Sequence, residues 1–160
     1  MKSLKMMGII ILILGIIGVG VGGTFLGLGY AKNNQVATTL REQKVTVGLD
    51  AASIAKGNVV DTLSEATKAS EVLGEHLQSI SPSYTALLAG GKFDPTNLTD
   101  LTYAQGMNLQ SYFFTAVIAF GLADSVMANG LFMAAVGVAL ILGGVAFYQI
   151  GKKLSVKQGL

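Results

Sequence analysis

The sequence predicts an all-α membrane protein, a two-span transmembrane helical hairpin with a small helical extracytoplasmic domain. Two apolar runs carry this prediction. The first has 26 residues without a charge, from Met6 to Ala31, and the second extends from Tyr112 to Ile150, interrupted only by Asp124. Because about 20 apolar residues cross the hydrocarbon core of a bilayer as a helix, each run is long enough to span a membrane.

The composition agrees with a membrane protein of modest size. Of the 160 residues, 51% are hydrophobic and only 12% are charged, which indicates one unit with a large apolar surface. The chain has no cysteine, so a disulfide framework and a thiolate metal site are both excluded. Basic residues are scattered singly along the chain, so no face that binds nucleic acid is expected.

The second run is too long for one upright span. Its 39 residues would extend about 58 Å as a helix, roughly twice the thickness of the hydrocarbon core. The preferred division has four parts and places Asp124 at the lipid interface. These parts are an N-terminal tail with transmembrane helix 1 at 1–30, a helical extracytoplasmic domain with stalks at 31–124, transmembrane helix 2 at 125–150 and a basic cytoplasmic tail at 151–160.

An alternative division has three spans. The chain would turn at Asn129-Gly130 and form spans over about Ser111–Ala128 and Gly130–Ile150. This division places Asp124 well inside the membrane, which costs a few kcal/mol. Two spans are therefore preferred.

Lysines at the two ends of the chain predict its orientation. Cytoplasmic flanks of membrane spans carry an excess of Lys and Arg, and the end residues here are Lys2, Lys5, Lys152, Lys153 and Lys157. With two spans, both termini are cytoplasmic at the plasma membrane and the central domain lies outside. A cleaved signal peptide is the rival explanation of the first run, but its apolar region normally has only about 7–15 residues.

Glycines in the two runs predict close helix packing. Eight glycines fall between Met6 and Ala31, and small residues four positions apart let two helix backbones approach closely in lipid. The partner helix is either the second span of the same chain or a span of another subunit. The predicted packing positions are Gly18, Gly22, Gly23 and Gly27 in the first span and Gly130, Ala134, Ala139 and Gly143 in the second.

The first part of the segment between the runs has the periodicity of a helix. Small or apolar residues recur at steps of three and four and form one continuous stripe, which consists of Leu63, Ala66, Ser70, Leu73, Leu77 and Ile80. Ser81-Pro82 should end this helix, because the residue before a proline is disfavoured in the α region.

The rest of this segment is predicted to be short pieces and helix ends. Residues 31–43 prolong the first span, and residues 44–47 are extended at most. A short apolar piece at 84–88 precedes Gly90-Gly91. A turn at 94–97 follows, and Thr99 or Asp100 then starts the helix that leads into the second span.

Two polar residues, His76 and Asp124, are candidates for a functional role. His76 is the only histidine, so a triad of two histidines and a carboxylate on iron is excluded within one chain. We expect a packed or hydrogen-bonded structural role for it, beside the apolar stripe. Asp124 is either an ion or proton site, or a marker of helix entry at the lipid interface, which is the preferred interpretation. No catalytic group, cofactor or metal is predicted, and the protein is not expected to be an enzyme.

Several short segments resemble two-span membrane proteins of actinobacteria and Chloroflexota. The first is residues 40–47, Leu-Arg-Glu-Gln-Lys-Val-Thr-Val, just outside the first run. Those proteins also have an Ala-x-x-Ile/Val-x-x-His-x-Leu helix followed by a tyrosine, matched here, at a slightly stretched spacing, by Ala69, Val72, His76, Leu77 and Tyr84. Their second span often opens like residues 114–121.

The resemblance implies the two-span architecture, and the family has no established activity to transfer. Some of its members bear the label of an aromatic ring-opening dioxygenase. One histidine and no metal motif provide no chemistry for that reaction here.

Two classes of function are compatible with these features. The first is a non-enzymatic structural or accessory subunit, held in a larger membrane assembly by its glycines and outer helices. Its partners would be the lipid bilayer and either other membrane protein subunits or further copies of itself, with no nucleic acid. The second is a membrane-anchored binding or sensing module for a lipid, quinone or pigment. Its pocket would be lined by Tyr84, Tyr103, Tyr112, Phe113 and Phe114.

Overall fold

The computed structural model describes residues 2–48 and 51–157, and most of this part of the chain is helical. The helices are α1 (Lys2–Glu42), α2 (Ala51–Lys56), α3 (Leu63–Ile80), α4 (Tyr84–Leu88) and α5 (Leu98–Lys157). The chain divides into two compact units. We name them the helix-pair unit (Met1–Ala31 and Ala123–Leu160) and the central unit (Lys32–Leu122). The all-helical part of the predicted fold class is confirmed.

The two long helices contain both apolar runs. α5 has 60 residues and continues without a break through Asn129-Gly130, so the three-span alternative is wrong. α1 and α5 are both long and apolar enough to cross a membrane, as predicted. In their most apolar stretches only 11% and 17% of the residues are buried, whereas the core helix of a water-soluble protein is mostly buried. The predicted tail after residue 150 prolongs α5 to Lys157, and its last three residues lie outside the described ranges.

α3 has a capping box at its N-terminus and ends where the sequence predicts. The Thr62 side chain accepts a hydrogen bond from the backbone N–H of Glu65 at 3.3 Å. In return, the Glu65 carboxylate accepts from the backbone N–H of Asp61 at 3.1 Å. The first bond satisfies an N–H group that the first turn of a helix leaves without a partner. The second ties the residue before the N-cap to the same turn. At the other end, Ser81 before Pro82 is extended and caps the helix, which confirms the predicted stop.

We expect Thr62→Ala to destabilise the central unit by about 1 kcal/mol, because it removes the N-cap acceptor. The matched control is Thr67→Ala in the same helix, whose hydroxyl only bonds the Leu63 carbonyl at 2.9 Å on an exposed face. Hydrogen exchange of the α3 amides measures both variants. Equal protection in the two variants would show that the cap contributes nothing.

The core of the central unit is formed by alanine, aliphatic and aromatic side chains, nearly all of them from α1, α3 and α5. The predicted stripe of α3 is its buried face, since Ala66, Ser70, Leu73 and Leu77 are all buried. Around this face lie the other buried members of the core, which are Ala37, Leu40, Val60, Ala69, Tyr103, Phe113, Ala116 and Phe120. After α1 the chain turns at residues 43 and 44, where Lys44 has a φ of 52°, so the extended segment predicted over residues 44–47 does not include its first residue. Thr46 forms an antiparallel bridge with Val59.

The segment between α4 and α5 is a hydrogen-bonded turn. The Asp94 carboxylate accepts from the hydroxyl and the backbone N–H of Thr96, at 2.7 and 2.8 Å. These two bonds, of which the bond from the hydroxyl has the larger effect, lower the pKa of Asp94 below its usual value. The Asn97 side chain then accepts from the Thr99 N–H at 2.9 Å. α5 therefore begins at Leu98, one residue before the predicted start.

Candidate functional site

The helix-pair unit is held together by glycines that recur every seven residues. In α1 they are Gly8, Gly15, Gly22 and Gly29, and in α5 they are Gly130, Gly137, Gly144 and Gly151. All eight are buried. We call this set the glycine seam. A strict seven-residue repeat keeps one seam in contact when two helices wind around each other.

Most of the closest contacts across the seam are with the backbone of the opposite helix. A methyl group placed on Gly22 would lie 2.6 Å from both the Ala134 nitrogen and the Gly130 oxygen. One placed on Gly137 would lie 2.6 Å from the Val19 nitrogen and 2.7 Å from the Gly15 oxygen. Contacts this short leave no room for any side chain, so glycine is the residue that lets the two helices meet here.

The register of the pair is antiparallel and regular. Gly8 lies against Gly144, Gly15 against Gly137 and Gly22 against Gly130, while Gly29 lies against Ala123. The residue numbers of each opposed pair add up to the same value, so the register holds over about three heptads of each helix. Close backbone approach increases van der Waals contact, which drives helix association in lipid where the hydrophobic effect between helices is lost.

The large apolar side chains of the same helices are on the outside of the pair. They are exposed in α1 at Ile10, Ile13, Leu14, Ile17 and Leu28, and in α5 at Leu131, Phe132, Val138 and Leu142. A water-soluble helix pair buries its large apolar residues along the seam and exposes polar ones. The arrangement here is the reverse, with the smallest residues inside and the largest outside. Exposed apolar surfaces of this extent are uncommon on water-soluble monomers.

Of the eight predicted packing positions, four lie in the contact between α1 and α5 and four lie outside it. Gly22, Gly130 and Ala134 lie in the contact between α1 and α5, and a methyl group on Gly18 would lie 3.1 Å from the Gly137 Cα atom. The other four positions, Gly23, Gly27, Ala139 and Gly143, lie outside this contact. Two of the predicted pairs spaced by four residues therefore lie in this contact, whereas the positions of the other two pairs remain open to another chain. The missed glycines were detectable in the sequence by their seven-residue spacing in both runs.

The two polar candidates belong to different units and have different surroundings. His76, on α3 in the central unit, is exposed, so of the two roles expected for it, packed or hydrogen-bonded, its side chain does not take the first. Its carbonyl accepts a hydrogen bond from the Ser79 hydroxyl at 2.6 Å. Asp124 is partly buried at the start of the α5 part of the helix-pair unit and makes a polar interaction there. Within residues 2–48 and 51–157, His, Asp and Glu side chains form no group of three suited to a metal ion.

A shallow surface cavity of about 220 Å³, open on one side, lies in the central unit between α1 and α5. Four of its lining residues are apolar and four are polar but uncharged, namely Val36, Leu40, Ala116 and Ala119, and Gln35, Thr39, Tyr112 and Thr115. The hydroxyls of Thr39 and Thr115 donate to carbonyls one turn earlier in their own helices, so their oxygens are left as acceptors. The cavity therefore suits an uncharged, largely apolar molecule.

The aromatic residues predicted to line a pocket have separate locations. Of the five, Tyr112 alone lines this cavity. Phe113 is part of the core, and Phe114 is 54% exposed. The rings of Tyr84 and Tyr103 stack on each other, with centroids 6.4 Å apart. They stabilise the contact between α4 and α5 instead of forming a binding pocket.

Comparison with known proteins identifies no family for this chain. No protein-family model, curated protein or solved structure matches the chain. Membership of the two-span proteins that the sequence resembles therefore stays a prediction.

Proposed function

We propose that this chain is a non-enzymatic integral membrane protein that acts as a structural or accessory subunit of a larger membrane assembly. The observation that supports the proposal is the arrangement of side chains in the helix pair, with glycines in the seam and large apolar side chains outside. In water such a surface would aggregate, whereas in a bilayer it is solvated by lipid or covered by other helices.

The pairing of α1 with α5 also supports a retained first helix. Cleavage as a signal peptide would remove Gly8, Gly15 and Gly22. It would expose Gly130, Gly137 and Gly144 with nothing to pack against. In this proposal the protein spans the plasma membrane as a hairpin, with both termini in the cytoplasm and the central unit outside, because lysines flank both ends of the hairpin.

A second candidate function is favoured by the cavity of the central unit. Its volume of about 220 Å³ and its uncharged lining suit part of a lipid, a quinone or a pigment. In this alternative the protein is a membrane-anchored binding or sensing module. The same membrane hairpin serves as its anchor.

Cysteine labelling in intact cells tests the topology, and the absence of natural cysteines makes single variants easy to interpret. We expect Lys56→Cys to react with a membrane-impermeant maleimide. The matched control Lys152→Cys, also at an exposed lysine, should react only after the cells are opened. Labelling of Lys152→Cys in intact cells, or release of the chain by carbonate, would contradict the proposed hairpin.

Native mass analysis after gentle solubilisation separates the two functions. An assembly subunit should retain further chains at a fixed stoichiometry. A monomer that carries one bound lipid-sized molecule would instead support the binding module, and a monomer without one would contradict both. Tyr112→Ala, which opens the cavity wall, should release the molecule in the second case.

A further inference from the structure

A polar side chain stands on the apolar outer surface of the helix pair. Asn129 is exposed, and it borders a groove of about 350 Å³ whose other lining residues are Phe25, Val126 and Met133. It lies five residues beyond Asp124, roughly 7 Å further along the helix. In the proposed hairpin this position is below the outer lipid interface.

The Asn129 amide has no hydrogen-bond partner among the residues that the structure describes. A primary amide offers two N–H donors and an oxygen with two lone pairs. Within residues 2–48 and 51–157, no group exchanges a hydrogen bond with this side chain. Hydrocarbon cannot supply the missing bonds, and an unsatisfied amide there costs several kcal/mol. Asparagine side chains in membrane helices meet this need by bonding across to another helix.

We propose that a second copy of this chain docks along the groove at Phe25 and Met133, so that the two Asn129 amides bond each other. This inference rests on the proposed membrane placement. An amide is complementary to itself, because its N–H groups and its oxygen pair reciprocally with those of an identical amide. A twofold axis along the membrane normal brings equal residues together at equal depth. None of the residues that line the groove is charged, so the groove has no charge that would favour a charged partner helix.

Disulfide cross-linking of the full-length chain in native membranes locates the contact. Because the chain has no cysteine, Val126→Cys introduces the only thiol, and oxidation should give a species with the mass of two copies. The matched control is Leu131→Cys. Leu131 is 63% exposed and lies about 200° around the helix from Asn129, at nearly the same depth in the membrane. It should remain monomeric.

A second pair of variants, made in the Val126→Cys background, tests the amide itself. Asn129→Leu should raise the dimer dissociation constant in bilayers on the order of three- to thirtyfold, the range measured for single polar contacts between membrane helices. The double variant Asn129→Leu/Leu131→Asn has the same composition but moves the amide to the opposite face. It should not restore the Val126→Cys cross-link.

Three results would overturn the dimer. They are equal cross-linking at positions 126 and 131, a dissociation constant unchanged by Asn129→Leu, and a cross-link at 126 to a different protein. An integral but monomeric chain would also overturn the dimer and leave the membrane hairpin intact. A chain that carbonate releases from the membrane would overturn both proposals.

Discussion

Replacing Gly22 with leucine is expected to force α1 and α5 apart and to destabilise the helix pair by about 3 kcal/mol, at the upper end for overpacking. The added Cβ atom would lie 2.6 Å from two backbone atoms of α5, which are the Ala134 nitrogen and the Gly130 oxygen. A flexible side chain can move aside to relieve a clash, but a helix backbone moves only as a whole. The new side chain therefore separates the helices along the seam.

The neighbouring glycine provides a matched control. A methyl group on Gly23 would meet nothing within 4 Å, so Gly23→Leu adds the same side chain to the same helix without a clash. We would measure cross-linking by a short bismaleimide between cysteines at Phe25 and Met133, which line one groove, during titration with SDS. Gly22→Leu should lose the cross-link at much lower SDS than Gly23→Leu. Equal behaviour of the two variants would show that the seam does not hold the pair.

Phe113→Ala is expected to unfold most of the central unit. Phe113 is only 1% exposed, and removal of a buried phenylalanine side chain costs about 3–5 kcal/mol. A unit of this size has a small core, and its total stability is only several kcal/mol. The loss therefore approaches the whole stability of the unit.

The adjacent Phe114 is the control, because it is 54% exposed and its truncation leaves no cavity. We would follow hydrogen exchange of α3, whose Leu73 and Leu77 belong to the same core cluster as Phe113. Exchange at Leu73 and Leu77 should accelerate strongly in Phe113→Ala and change little in Phe114→Ala. If α3 stays protected in both, the core does not depend on Phe113.

Much of the local structure could be predicted from the sequence because its signals are local. Proline at residue 82 ends α3, and the turn at 94–97 follows from its Asp, Pro, Thr and Asn. The stripe from Leu63 to Ile80 indicated which face of α3 is buried. In each case the physical cause lies within a few residues of the effect.

The packing positions of the candidate site were predicted only in part. A four-residue spacing of glycines suits helices that cross at a steep angle. It selected Gly18 and Gly22, which lie in the contact with α5, but also Gly23 and Gly27, which lie outside it. The seven-residue spacing was present in both runs, but its meaning depends on which helix lies opposite and in which register. His76 was placed beside the stripe by its position in the sequence, yet its side chain is exposed.

The sequence by itself determined that the chain is helical, that two of its helices are long and apolar, and where α3 ends. Charge, hydropathy and turn residues are sufficient for these features because they act within one helix or one turn. Only the tertiary structure decided that α1 and α5 meet through Gly8, Gly15, Gly22 and their partners, and that Asn129 is left on the outer surface. A seam is a property of two helices in a particular register, since each glycine is needed only where another backbone lies against it.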